Sequence, residues 1–436
     1  MNNLVLDMIK KRAQGGAAGI YSACSANEYV LEAVLESGKE SGTAVLIEAT
    51  ANQCNQYGGY TGLTPEDFMG FVRRIAYNAG FDMGMLAIGG DHLGPLTWKG
   101  EPEATAMEKA GELVRQYVLA GFSKIHLDTS MRLRGDGERL TDETIAARAA
   151  KLAVIAERAY AQRLKAHPGS PEPAYVIGSE VPIPGGTADD EGLVVTTPGQ
   201  FAATYGAFES AFLDAGLREA FGRVAGIVVQ PGVEFSGESV IAYDREAARA
   251  LTSTLRDYGG IVFEGHSTDY QTKYKLKEMV EDGVAILKVG PALTFYLREA
   301  LFALAHIEEE LGIGQASDFR SILDSAMLAR PGDWLGHYHG TEKELAIKRK
   351  YSLSDRCRYY LSDEAVRLGI AKLVGNINSN NVPEALISQY LPTALRRLRD
   401  AGAQFSAENL LKSRVKDCID DYLYATMIAK TPSSRA

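Results

Sequence analysis

The stretch IGGDHLGP, Ile88 to Pro95, sets a carboxylate and an imidazole side by side between glycines, straight after an apolar run. Asp91 and His92 could together move a proton and hold a metal ion, yet an acid and a histidine are also what an ordinary turn contains. Other strand-length apolar runs end in the same way. Ser22 and Ser25, Glu48, His126 with Asp128, Glu180, Gln230, Glu264 with His266, and Lys288 all stand at or near such ends. Singly, each reads as a helix cap or turn former. Collected in one place, so many charged groups would cost several kcal/mol in lost hydration unless they pair or surround a cation. Imidazoles and carboxylates in that number suit a divalent ion with open coordination positions, a Lewis acid able to polarise a carbonyl.

The elements that would gather them can be read in order. Eight apolar runs, at 19–25, 44–50, 85–92, 124–130, 174–181, 226–232, 260–267 and 285–292, alternate with segments of helical periodicity such as NEYVLEAVLESGKE and AMEKAGELVRQYVLAG. Several of those helical segments stop at Gly just before the next run. This alternation predicts a parallel sheet, and eight units over roughly 300 residues predict an α/β fold, a (β/α)8 TIM barrel. The competing doubly wound sheet lacks its G-x-G-x-x-G after the first strand. LTFYLREALFALAHIEEELG reads as the closing barrel helix. The expected division is a barrel over 1–314 carrying the site and a mostly helical extension over 315–436 packed on it.

In such a barrel the strand ends meet at one mouth, and phosphate is commonly held by the loops after strands seven and eight. Here those loops read GHSTDYQT and VGPALT. Gly265, Ser267, Gly290 and Thr294, with Lys288 as a cation, are the candidate phosphate-binding residues, although Ser and Thr also cap helices. In the glycine-rich YGGYTGLTPEDF, Thr64, Pro65 and Asp67 read as a helix cap. His337 and His339 read as ordinary loop residues, and YSLSDRCRYY as packing of the extension on the barrel.

Composition narrows the partners. The chain has 436 residues, 46% hydrophobic and 23% charged, with a net charge of -10 spread along its length, so no nucleic-acid footprint appears. No apolar run is long enough to span a membrane, and the N-terminus lacks the order of a signal peptide, which together predict a cytoplasmic protein. Cys24, Cys54, Cys357 and Cys418 are far apart and read as buried thiols.

Several longer words, NQYGGYTGLTPEDF, IGSEVPIPGG, VVQPGVEF, FEGHSTDYQT and LKVGPALTF among them, resemble the accessory, or Z, subunit family of class II tagatose-bisphosphate aldolase almost end to end. Members of that family have also been labelled tagatose-6-phosphate kinases, but no nucleotide-phosphate loop of the form G-x-x-x-x-G-K-[ST] occurs here. More distantly, the barrel resembles the catalytic class II aldolases, whose strand-three Asp-His pair matches Asp91 and His92. That resemblance implies Asp91 as acid/base and His92 and His266 as ligands of a divalent metal, with zinc the expected ion. The strand-six histidine of those enzymes is replaced by Gln230, leaving Gln230, Glu180, Asp128 or Glu264 to complete the set. Glu48, Asp128 and Glu180 are the further candidates for catalytic carboxylates.

Two functions follow from the resemblance. One is a non-catalytic subunit that stabilises a separate aldolase; the other is a stand-alone tagatose 6-phosphate 4-epimerase, acting on a phosphorylated ketohexose. A homo-oligomer fits either. The C4 hydrogen of a 2-ketose is not α to the carbonyl, so epimerisation without a nicotinamide requires reversible cleavage of C3–C4. Proton abstraction at C3 would instead make a 3-epimerase from similar parts.

Overall fold

Short runs rich in Val, Ile, Leu and Ala, covered on the outside by helices and filled on the inside by one another's side chains, are stable only as buried parallel strands. The computed structural model describes residues 2–178 and 193–427 and contains eight of them closed into a barrel. They are Ile20–Ala23, Val45–Thr50, Leu86–Leu93, Lys124–Leu127, Ala174–Ile177, Val224–Val229, Val262–Gly265 and Val284–Val289. Each pairs in parallel with its sequence neighbours, and the first closes on the eighth through Ser22 opposite Lys288. The (β/α)8 expectation holds. A short antiparallel hairpin, Glu234–Phe235 with Val240–Ile241, follows the sixth strand. No helix among the described residues is long and apolar enough to cross a membrane.

Because side chains alternate across a strand, every second residue points into the barrel. The lower interior is apolar, with Ile20, Leu46, Ala87, Val176, Val228 and Ile286 packed against Val5, Met8 and Ile9 of the N-terminal helix Leu4–Ala13, which plugs the bottom. Asn3 caps that helix and ties it down by donating to the carbonyls of Ser123 and Glu172, both at 2.8 Å.

Above this plug the interior turns ionic. Lys124 Nζ lies 2.6 Å from Glu48 Oε1 and 2.6 Å from Glu264 Oε2, and all three side chains are fully buried. The ammonium sits off the hydrogen-bonding directions of both carboxylates, so the contact is chiefly Coulombic. Glu48 also pairs with Lys288, whose Nζ reaches Asp91 Oδ2 at 2.8 Å. The ladder thus runs Glu264, Lys124, Glu48, Lys288, Asp91. Gly89 makes room for it, since a Cβ there would lie 2.9 Å from Glu48.

The ring of outer helices is completed by the extension. The helix after strand eight, Pro291–Glu310, was expected to close the ring. The place against the first strand, between Glu28–Ser41 and Lys273–Glu281, is instead filled by the last helix, Ala407–Thr426. Tyr422 of that helix packs on Tyr21 with ring centroids 5.8 Å apart and donates to the Thr268 carbonyl at 2.9 Å. Thr64, Pro65 and Asp67 form the expected capping box.

Two outcomes follow. Lys124→Met should destabilise the protein by about 3–5 kcal/mol in urea unfolding, because Glu264 is left buried without a fixed counter-charge and Glu48 keeps only Lys288; a variant within about 1 kcal/mol of wild type would contradict the ladder's role. Ile419→Ala, a deletion in the fully buried face of the last helix, should cost about 2–5 kcal/mol within one cooperative transition. Two separate transitions, with the barrel's unmoved, would show that the helix does not complete the ring.

Candidate functional site

Adjacent residues of a regular strand face opposite ways, so Asp91 and His92 can both enter the mouth only if the strand is distorted. It is. The register with the fourth strand slips between Gly90 and Leu93, and His92 has a left-handed backbone, φ 48°. That conformation is strained for a residue with a Cβ, and strain of this kind concentrates where function requires it. Gly94 completes the turn, as a Cβ there would lie 1.6 Å from the Asp128 carbonyl oxygen.

The distortion brings His92 against His126 and His266, with ring centroids 4.9 and 4.8 Å away, and His126 lies 5.5 Å from His266. Each imidazole is aimed by an acceptor. His92 Nδ1 is 2.7 Å from Asp128 Oδ2, His126 Nε2 is 2.9 Å from the Gly178 carbonyl, and His266 Nε2 is 2.9 Å from Glu264 Oε1. Such partners assign the ring proton to one nitrogen and the lone pair to the other, the orientation that metal-binding histidines need. Ligand atoms from Asp91, His92, His126 and His266 all lie within 4.8 Å of one another.

The charges fit a cation. With its proton facing Gly178, His126 presents its Nδ1 lone pair to the His92 amide at 3.2 Å and to Asp91 Oδ1 at 2.9 Å. Two acceptors that close repel unless a proton or cation lies between them. Around the mouth, the carboxylates Glu48, Asp91, Asp128 and Glu264 face the ammoniums of Lys124 and Lys288, so with neutral imidazoles two negative charges are uncompensated. A divalent ion would supply that balance.

Titration behaviour follows from the same contacts. Burial pushes Asp91 up, but His92 and Lys288 outweigh it and hold it well below the usual carboxylate range. Burial likewise opposes ionisation of Asp128, yet His92 and Ser130 hold its carboxyl low. His92 is raised, since Asp91 and Asp128 overcome its burial, whereas burial pushes His266 down to about 4. Lys288, facing Asp91 and Glu48, is held well above the usual lysine range despite its burial. Asp91 is therefore held in its ionised form.

A cavity of about 160 Å³ opens over this cluster, lined by Asp91, His92, His266, Ser267 and Lys288 and, from the extension, by Arg358 and Tyr359. A second cavity of about 430 Å³ adjoins it, sharing Cys24, Gln53, Tyr60 and Arg358. Tyr60, in the glycine-rich loop after strand two, meets Tyr359 edge to face at 4.9 Å.

The sequence-derived candidates distribute unevenly over this geometry. Asp91, His92, His266, Ser267, Lys288 and Gly290 reach the cavity, and Asp128 stands behind His92. Glu48 is fully buried beneath the cavity between the two lysines. Gln230 turns its amide oxygen onto the backbone of Gly232 and Val233, at 2.8 and 3.0 Å, and shapes the loop after strand six. Thr294 donates to Asp355 at 2.6 Å, and a Cβ on Gly265 would point at Val284 and Met279, away from the mouth. Glu180 and the PIPGGTADD loop lie outside the described residues. Of the four thiols, Cys54, Cys357 and Cys418 are buried as expected, while Cys24 is half-exposed at the mouth.

Three residues have roles that the sequence reading does not assign: His126, counted there among the strand-end groups, as the third converging imidazole, Lys124 beneath it, and Arg358 above it. The signal for the first two was available. In KIHLDTS the inward parity of Asp128 also assigns His126 and Lys124 to the barrel interior. Arg358 carried no such signal, and its segment YSLSDRCRYY both packs on the barrel and lines the cavity.

Comparison with known proteins agrees with this architecture. A solved structure described as a probable tagatose 6 phosphate kinase from Sinorhizobium meliloti 1021 is 43% identical, with a TM-score of 0.86, covering 94% of this chain and 100% of that one. The YdjI aldolase from Escherichia coli K12 is 12% identical with a TM-score of 0.42, over 87% of this chain and 100% of that one. A fructose-bisphosphate aldolase from Campylobacter jejuni is 15% identical with a TM-score of 0.42, over 88% and 93%. A family model matches residues 5–427, and the chain belongs to the family it describes, the D-tagatose-1,6-bisphosphate aldolase subunit GatZ/KbaZ-like proteins.

Proposed function

We propose that this protein is a metal-dependent sugar-phosphate epimerase that interconverts tagatose 6-phosphate and fructose 6-phosphate by cleaving and remaking the C3–C4 bond. The observation that carries the reading is the convergence of His92, His126 and His266, each aimed by its own acceptor, beside an ionised Asp91 in a cavity. His92, His126 and His266 would hold the divalent cation, with zinc the expected ion. Bound there, a cation would polarise the C2 carbonyl and stabilise negative charge on C2 and C3 oxygens.

The chain's own residues supply the rest. Asp91 accepts the proton of the C4 hydroxyl as C3–C4 breaks; the bonding electrons pass to C3 as an enediolate, and C4 becomes the aldehyde of a three-carbon phosphate. Lys288, 2.8 Å from Asp91, fixes the carboxylate that carries this proton. The walls formed by Tyr60 and Tyr359 keep the aldehyde from leaving. When the aldehyde turns its other face to C3 and the bond re-forms, Asp91 returns the proton and C4 is inverted. Asp128 and Glu264 orient His92 and His266, positioning roles that replace the acid/base work first considered for Asp128. In this reading residues 1–314 carry the metal and acid/base groups and the extension, 315–436, closes the cavity over them.

A second reading, a stabilising subunit for a separate class II aldolase, is supported by the family's own description. One assay separates the two. Purified protein supplied with Zn²⁺ should convert tagatose 6-phosphate to fructose 6-phosphate unaided; product only after addition of an aldolase subunit would favour the second reading. His126→Ala should lose bound zinc, measured by elemental analysis, together with turnover. Asp91→Asn should keep the zinc and lose about 10²–10⁴-fold in kcat. A His126→Ala protein that retains full zinc and activity would remove the three-imidazole site.

A further inference from the structure

The loops expected to seat a phosphate are already committed. Lys288 is paired with Glu48 and Asp91, and Thr294 donates to Asp355. The amides of Gly290 and Ala292, at the start of the helix after strand eight, both donate to Asp269 Oδ1, at 3.0 and 2.8 Å. Ser267 reaches the cavity, with a left-handed backbone, φ 51°, but its hydroxyl is engaged by the Glu234 carboxyl.

The positive charge at the mouth comes from the extension. Its turn Arg356–Tyr360 carries two guanidiniums against the ring of Tyr359, Arg358 at 4.5 Å and Arg356 at 5.6 Å from the centroid. Neither forms a direct ion pair with a carboxylate among the described residues, although Asp355 and Asp269 act on Arg358, and Asp333 on Arg356, from farther away. Arg358 donates through Nη1 to the backbone carbonyls of Ser354 and Asp355 and through Nη2 to the Tyr359 hydroxyl at 3.1 Å. Arg356, 6% exposed, donates to His337 Nδ1 at 2.8 Å, and its Nε has no partner. The neighbouring Arg298 shows the usual arrangement, with Asp355 Oδ1 at 2.9 Å. Two guanidiniums held together with no carboxylate in direct contact leave positive charge that an anion arriving from outside would balance.

Arg358 lines both the cavity over the imidazoles and the larger one beside it. We propose that Arg358, backed by Arg356, is the binding residue for the phosphate of a phosphorylated sugar whose other end lies at the three imidazoles. The proposal rests on the sugar-phosphate reading above. A planar guanidinium offers paired donors that match phosphate oxygens, and the Tyr359 ring holds Arg358 in place. His337, accepting from Arg356, is then a support of this turn rather than an ordinary loop residue.

The test compares tagatose 6-phosphate with unphosphorylated tagatose on zinc-loaded protein. Arg358→Ala should lower the ratio of kcat/KM for the phosphorylated over the unphosphorylated sugar by about 10–100-fold, chiefly through KM, with Arg358→Lys recovering part of the loss. Inorganic phosphate, followed by calorimetry, should bind wild type and not Arg358→Ala. An unchanged ratio together with unchanged phosphate binding in a variant that melts like wild type would overturn the proposal. If wild type turns over neither sugar, the epimerase reading fails, and calorimetry with inorganic phosphate still decides the role of Arg358.

Discussion

Lys124 sits inside the barrel with a carboxylate on each side, and the mouth above depends on that contact. Glu264 can orient His266 only if its other oxygen is neutralised, and Glu48 can hold Lys288 against Asp91 only if it too is anchored. Desolvating these groups is expensive, and a buried ion pair is weak evidence for stability by itself. Its role here is positional. Alternating charges passed from strand seven through strands four, two and eight to strand three fix side chains from five strands relative to one another.

The cluster above the ladder then has one excess: negative charge and imidazole lone pairs beyond what Lys124 and Lys288 balance. The acceptors behind His92, His126 and His266 come from a carboxylate, a backbone carbonyl and a second carboxylate, so each ring is oriented independently. The strained backbone at His92 belongs to the same arrangement, since it turns Asp91 and His92 into the mouth together. In the proposed reaction, proton transfer and carbonyl polarisation would then act on one bound molecule, the proximity that a carbon–carbon cleavage requires.

Much of this was legible in the sequence because parallel strands buried on both faces leave apolar runs, and eight of them in alternation with helices permit few folds. The convergence of His92 and His266 followed from strand ends alone. His126 stands among the strand-end groups with no ligand role assigned to it, and Lys124 is hidden because inward parity starts at the beginning of the strand; a lysine opening a strand looks like a surface residue until the barrel closes around it. The roles first given to Thr294 and Lys288 were reasonable for their loops, but competing partners, Asp355 and the Glu48–Asp91 pair, come from distant segments. Arg358 and the last helix depend on how the extension wraps the barrel, which no local pattern encodes.

The central claim is that this mouth inverts C4 by breaking and remaking C3–C4, with no C–H bond broken. Its most direct test is to run the zinc-loaded protein on tagatose 6-phosphate in deuterium oxide and read the product by NMR. The account predicts fructose 6-phosphate carrying protium at both C3 and C4. Deuterium at C3, inversion at C3 in place of C4, or the absence of any epimer would contradict it.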